Sequence, residues 1–165
     1  MSDATESETT ETTTETEQYE SPVITKHQIT VRGKNVQYTA TTGMMKLESD
    51  EGKHRANIFY VAYTKDTTNE RTRPITFCFN GGPGSSSVWL HLGALGPKRI
   101  HMDDIGNPLP APYAYNDNEY TWLQWTDLVF IDPVGTGYSR TAGESKREEF
   151  HGVTEDIESV GEFIR

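Results

Sequence analysis

Ile75-Thr76-Phe77-Cys78-Phe79, followed by Asn80-Gly81-Gly82-Pro83-Gly84-Ser85-Ser86-Ser87, decides the fold class. The first five residues form a short apolar run that reads as a buried strand. The next eight hold three glycines and a proline, so the chain must turn there. Val88, Leu92 and Leu95 then fall on one helical face, and Ser85 is placed to cap the start of that helix. Strand, glycine-rich turn and helix in this order form one unit of a mixed α/β sheet.

The turn is also where chemistry is expected. Glycines let the backbone bend sharply and bring bare N–H groups up to a ligand, and the helix behind them adds the positive end of its dipole. A phosphate-binding loop would end in Gly-Lys-Ser/Thr, but serine stands where the lysine should be. A dinucleotide fingerprint needs Gly-x-Gly-x-x-Gly, which this spacing does not supply. An oxyanion hole, built from backbone donors after an early strand of an α/β-hydrolase sheet, fits. A tight turn with no ligand fits as well.

Outward from this segment, alternating residues over 27–32 and 36–40 flank Gly33-Lys34-Asn35 and predict a hairpin. Met44 to Leu47 suggests a third short strand, and Asn57 to Tyr63, rich in aromatic and branched residues, a longer one. On the other side, residues 103–126 carry Pro108, Pro110 and Pro112 and read as a long loop. Leu128-Val129-Phe130-Ile131 is a continuous apolar run, the pattern of a central strand covered on both faces. The strand beside it is expected from sequence beyond Arg165. Asp132 to Gly137 reads as a turn, and Val153, Ile157, Val160 and Ile164 fall at helical spacing.

The chain has 165 residues and a formal net charge of -10, but the charge is uneven. Residues 1–20 hold seven of the 25 acidic residues and none of the 15 basic ones, which leaves a near-neutral body and argues against a nucleic-acid surface. A Thr/Glu-rich stretch of this kind cannot bury enough apolar surface to offset its ordering entropy, so a disordered acidic tail is expected over 1–22 and a folded domain over 23–165. The tail suits a solvating leader or a modified regulatory segment. It lacks the basic and apolar regions of a secretory signal, so a cytoplasmic location is expected. One cysteine, Cys78, cannot form an intrachain disulfide framework or a cysteine-rich zinc site. No apolar run approaches the length of a membrane span. Neither a cofactor nor a metal is expected.

The segment Asn80 to Ser87, then Leu95-Gly96-Pro97, Asn118 to Trp122, and Phe130 to Ser139 together resemble the serine carboxypeptidases, α/β-hydrolases that remove C-terminal residues from peptides. The resemblance runs from about Phe59 to Arg165. It implies that Asn80 and Gly81 hold the terminal carboxylate of a peptide substrate, that Gly82 supplies one N–H of the oxyanion hole, and that the Asp132 to Ser139 turn helps wall the cleft. Ser85 stands where many members carry a disulfide cysteine. Ala94 stands where many carry a glutamate that grips the substrate carboxylate, so recognition would rest more on Asn80 and Gly81.

Acyl transfer on this fold needs Ser, then Asp or Glu, then His, with the serine in Gly-x-Ser-x-Gly. Gly84-Ser85-Ser86-Ser87-Val88 and Gly143-Glu144-Ser145-Lys146-Arg147 both fail at the last position. The five histidines, His27, His54, His91, His101 and His151, read as surface or packing residues rather than as a general base. The expectation is the N-terminal part of a longer serine carboxypeptidase, inert by itself. A non-catalytic module that binds peptide C-termini through Asn80 to Gly84 is the alternative.

Overall fold

The computed structural model describes residues 21–67, 73–81, 84–107 and 109–165. A mixed sheet dominates it, with strands β1 (Val23–Val31), β2 (Lys34–Glu48), β3 (His54–Lys65), β4 (Ile75–Cys78) and β7 (Asp127–Ile131) in the order β1-β2-β3-β7-β4. The first three strands and β7 pair antiparallel, whereas β4 and β7 are parallel. The two-residue strand β8 (Arg140–Thr141) extends the β3 edge past the end of β7. A separate pair joins β5 (Lys98–Ile100) to β6 (Tyr115–Asp117).

The expected hairpin forms with its turn slightly earlier than the sequence suggests. Val31 pairs with Lys34, and both Arg32 (φ 48°) and Gly33 (φ 75°) have positive φ, the geometry that matches a two-residue turn to the twist of its strands. Residues 36–40 and 44–47 belong to one strand, β2, because β3 pairs with it from Tyr38 to Leu47 without a break.

The alternation within β7 explains its uniformly apolar sequence. Leu128 and Phe130 pack on one face with Ile29, Val31, Tyr38, Cys78 and Leu123. Val129 and Ile131 pack on the other with Leu47, Ile58, Phe150 and Val160. Both faces of the strand are thus covered, as its sequence implies. Its neighbours differ from expectation: β3 and β4 flank β7, and no strand from beyond Arg165 is needed beside it. Strands β1 and β4 are the two edges of this sheet among the described residues, and the open edge of β4 lies beside Asn80.

Two helical segments cover the sheet. Helix α1 (Val88–Leu90) is one turn and runs directly into a π-helical turn, His91–Leu95, while α2 (Val153–Ile164) packs Val160 against the opposite core. The first begins at Val88, so Ser85 is not its cap. Residues 103–126 are not loop throughout, since β6 lies there together with a single 3-10 turn at Trp122–Gln124. The acidic tail over 1–20 lies outside the described residues.

Candidate active-site loop

Because β4 and β7 run parallel, with Cys78 opposite Phe130, their carboxyl ends point the same way. The Asn80 turn and the Asp132 turn therefore leave the sheet side by side, the position where α/β sheets bind ligands. Asp132, 5% exposed, fastens the two together. Its Oδ1 accepts from the Ser87 N–H at 2.8 Å and from the Ser87 hydroxyl at 2.9 Å, and its Oδ2 accepts from the Tyr138 N–H at 3.1 Å. Ser87 immediately precedes α1, and its hydroxyl serves Asp132 instead of capping the helix.

The 132–139 turn is closed on itself and anchored to β3. The Pro133 carbonyl accepts from the Thr136 N–H at 3.0 Å and the Thr136 hydroxyl at 2.8 Å. The Ser139 hydroxyl donates to the Asp132 carbonyl at 2.6 Å and accepts from the Phe59 N–H at 2.8 Å. The Asp132 N–H in turn donates to the Phe59 carbonyl at 3.0 Å. Gly137 (φ +47°) is required here, because a Cβ would lie 1.8 Å from Asp132 Oδ2.

Behind the glycine turn, the π-helical turn is held by the Gly96 N–H donating to the His91 carbonyl at 3.0 Å. Asn118, 2% exposed, donates through Nδ2 to the carbonyls of Ala94 (2.7 Å) and Gly96 (2.8 Å), and the Thr121 hydroxyl donates to Leu95 at 2.8 Å. The motifs Leu95-Gly96-Pro97 and Asn118 to Trp122 thus form one structure: the second satisfies the orphan carbonyls that end the first. Asn118 and Thr121 are the positioning residues that sequence reasoning left without a role. Their polar types among Tyr120, Trp122 and Trp125 were the available signal.

His91 is a packing residue, as the sequence implied. Its ring stacks on Phe130 with centroids 4.5 Å apart, and Nε2 lies 2.6 Å from the Tyr63 hydroxyl. Burial pushes the His91 pKa down to about 4, only partly opposed by Asp132, and burial raises that of Tyr63. The imidazole is therefore neutral and the phenol donates to it. Folding disfavours the charged form of His91, so between pH 6.5 and about 4 the unfolded chain binds the extra proton. Stability from this group is complete above pH 6.5 and lost as the pH falls toward 4. Urea midpoints measured across that range should drop less steeply for His91→Gln than for the unaltered chain. Parallel slopes would refute the assignment.

Of the three residues expected at the site, two lie on this edge. Asn80 follows β4, half-buried, and its Oδ1 is shut off from solvent with no hydrogen-bond donor among the described residues. Gly81 is exposed, with nothing within 4 Å of where a Cβ would stand. Gly82 lies outside the described residues. Among the described residues no cluster of His, Cys, Asp or Glu has the makings of a metal centre.

A mixed sheet whose parallel strands β4 and β7 lead into segments joined by the buried Asp132 is compatible with an α/β peptidase domain. The chain belongs to the serine carboxypeptidase family, whose model matches residues 31–163. It is 32% identical over 115 residues to a vitellogenic carboxypeptidase of Aedes aegypti, covering 69% of this chain and 21% of that protein. Over 128 residues it is 32% identical to a pheromone-processing carboxypeptidase of Saccharomyces cerevisiae, covering 72% and 16% of the two. Serine carboxypeptidase-like 20 of Arabidopsis thaliana is 28% identical over 105 residues, 63% of this chain and 20% of that protein. The chain spans about a fifth or less of the length of these curated relatives.

Proposed function

We propose that this chain is the N-terminal part of an α/β-hydrolase-type serine carboxypeptidase and carries the loop that binds the substrate's C-terminal carboxylate and the oxyanion. The observation that carries this reading is the Asn80 side-chain oxygen, shut off from solvent and without a donor among the described residues, at the carboxyl end of β4. A buried acceptor without a donor costs about 1–3 kcal/mol, and such a cost is tolerated where a group meets a ligand or a further piece of protein. The open edge of β4, beside this amide, is where another strand would add. In this reading Asn80 and Gly81 hold the free carboxylate of a peptide, and Gly82 donates its N–H to the tetrahedral oxyanion.

The nucleophile comes from sequence other than this. Ser87 and Ser139 are buried, and both hydroxyls are committed to the Asp132 node. A nucleophilic serine needs a base within hydrogen-bond reach, and His91 instead faces Tyr63. A fluorophosphonate probe is therefore expected to label no serine of the 165-residue chain. Labelling at any of them would overturn this reading.

A further inference from the structure

We propose that Asn80-Gly81 is a self-modification site, at which the Asn80 amide is converted to a carboxylic acid through a cyclic imide. In that step the Gly81 backbone nitrogen attacks Asn80 Cγ. The N–Cγ bond forms, the Cγ–Nδ2 bond breaks, and Nδ2 leaves as ammonia with the proton from the Gly81 amide. Water then opens the five-membered ring at either carbonyl. The product is aspartate or isoaspartate at position 80, and the net change is one water consumed and one ammonia released.

Three observations place the reaction here. This is the one Asn-Gly pair in the sequence, and ring closure needs a backbone swing that a following side chain obstructs. Gly81 is exposed, and among the described residues nothing stands within 4 Å of where a Cβ would be. The Asn80 carboxamide oxygen has no donor among the described residues to hold its plane away from the Gly81 nitrogen. Asn118 differs in its hydrogen bonds and in the residue that follows it. Its amide nitrogen is locked to the carbonyls of Ala94 and Gly96, and the bulkier Glu119 comes next.

The chemistry does not depend on the proposed function, but its consequence rests on that reading. Conversion puts a negative charge on the group assigned to hold a carboxylate, and isoaspartate also inserts a methylene into the backbone before Gly81.

The test is peptide mass spectrometry of the chain, held folded at neutral and mildly alkaline pH, with a urea-unfolded sample alongside. The expected result is amide-to-acid conversion at position 80 in the folded chain, faster at the higher pH, with isoaspartate present and Asn118 unchanged. Gly81→Ala, which has room for its methyl group, should slow the conversion at least about tenfold. An Asn80 that stays an amide in the folded chain while the unfolded chain converts would overturn the proposal. So would conversion of Asn118 at the same rate, a comparison that needs no variant to fold. Because the readout is a mass, a failure of the carboxylate-binding reading leaves it untouched.

Discussion

Asp132→Ala is expected to destabilise the fold by about 3–5 kcal/mol, read as a lower urea midpoint at unchanged slope. The carboxylate is the acceptor for three donors, the Ser87 N–H, the Ser87 hydroxyl and the Tyr138 N–H. Hydrogen bonds to a charged group are worth about 1.5–3 kcal/mol each, and their loss leaves the donors stranded in a dry site. The three bonds act on one node, so the total is less than their sum. Asp132→Asn should recover little, because one face of its amide then presents N–H to N–H. Gly137→Ala should approach the same cost from the other side, since its methyl group would occupy the place of Asp132 Oδ2. Gly81→Ala, with open space around it, should stay within about 1 kcal/mol of the unaltered chain. An Asp132→Ala variant as stable as the parent would show that the two turns are held together by something else.

The largest kinetic effect is expected from Gly82→Ala in the longer carboxypeptidase that we propose this chain belongs to. If the Gly82 N–H meets the oxyanion, the donor is backbone and no side-chain deletion removes it, but a Cβ displaces it. Loss of one such donor lowers kcat by about 10²–10³, or about 2.7–4 kcal/mol of transition-state stabilisation. Asn80→Ala should instead mostly raise KM for peptides with a free carboxylate and change amidated peptides much less, because that contact exists in ground and transition states alike. Steady-state kinetics on matched free and amidated peptides separate the two roles. The same pattern from both variants, or a silent Gly82→Ala, would refute the division of labour within the loop.

Much of this was legible in the residues themselves. Leu128 to Ile131 announced a strand covered on both faces because every position is apolar, and the structure divides them alternately between two cores. The hairpin and the helix over 153–164 followed from periodicity and turn chemistry, which act over a few residues. The end of β4 at Cys78 was legible because three glycines and a proline follow within the next nine residues.

What depended on distant partners was not legible. Residues 98–100 and 115–117 are too short to read as strands and become strands only by pairing with each other. Ser85 looks suited to cap a helix, but the helix begins at Val88, and the hydroxyl of Ser87 before it goes to Asp132, 45 residues along the chain. The neighbours of β7 were equally hidden, because an apolar run reports that a strand is covered but not which strands flank it.

By itself, then, the sequence determined the longer strands of the main sheet and the family, since local pattern and motif spacing are properties of neighbouring residues. Only the tertiary structure decided that Asp132 joins two turns and that Asn118 closes the π-helical segment. It alone also left the Asn80 amide without a donor among the described residues. The physical reason is that hydrogen-bond satisfaction in a buried site is settled by which distant groups the sheet brings within 3 Å or so.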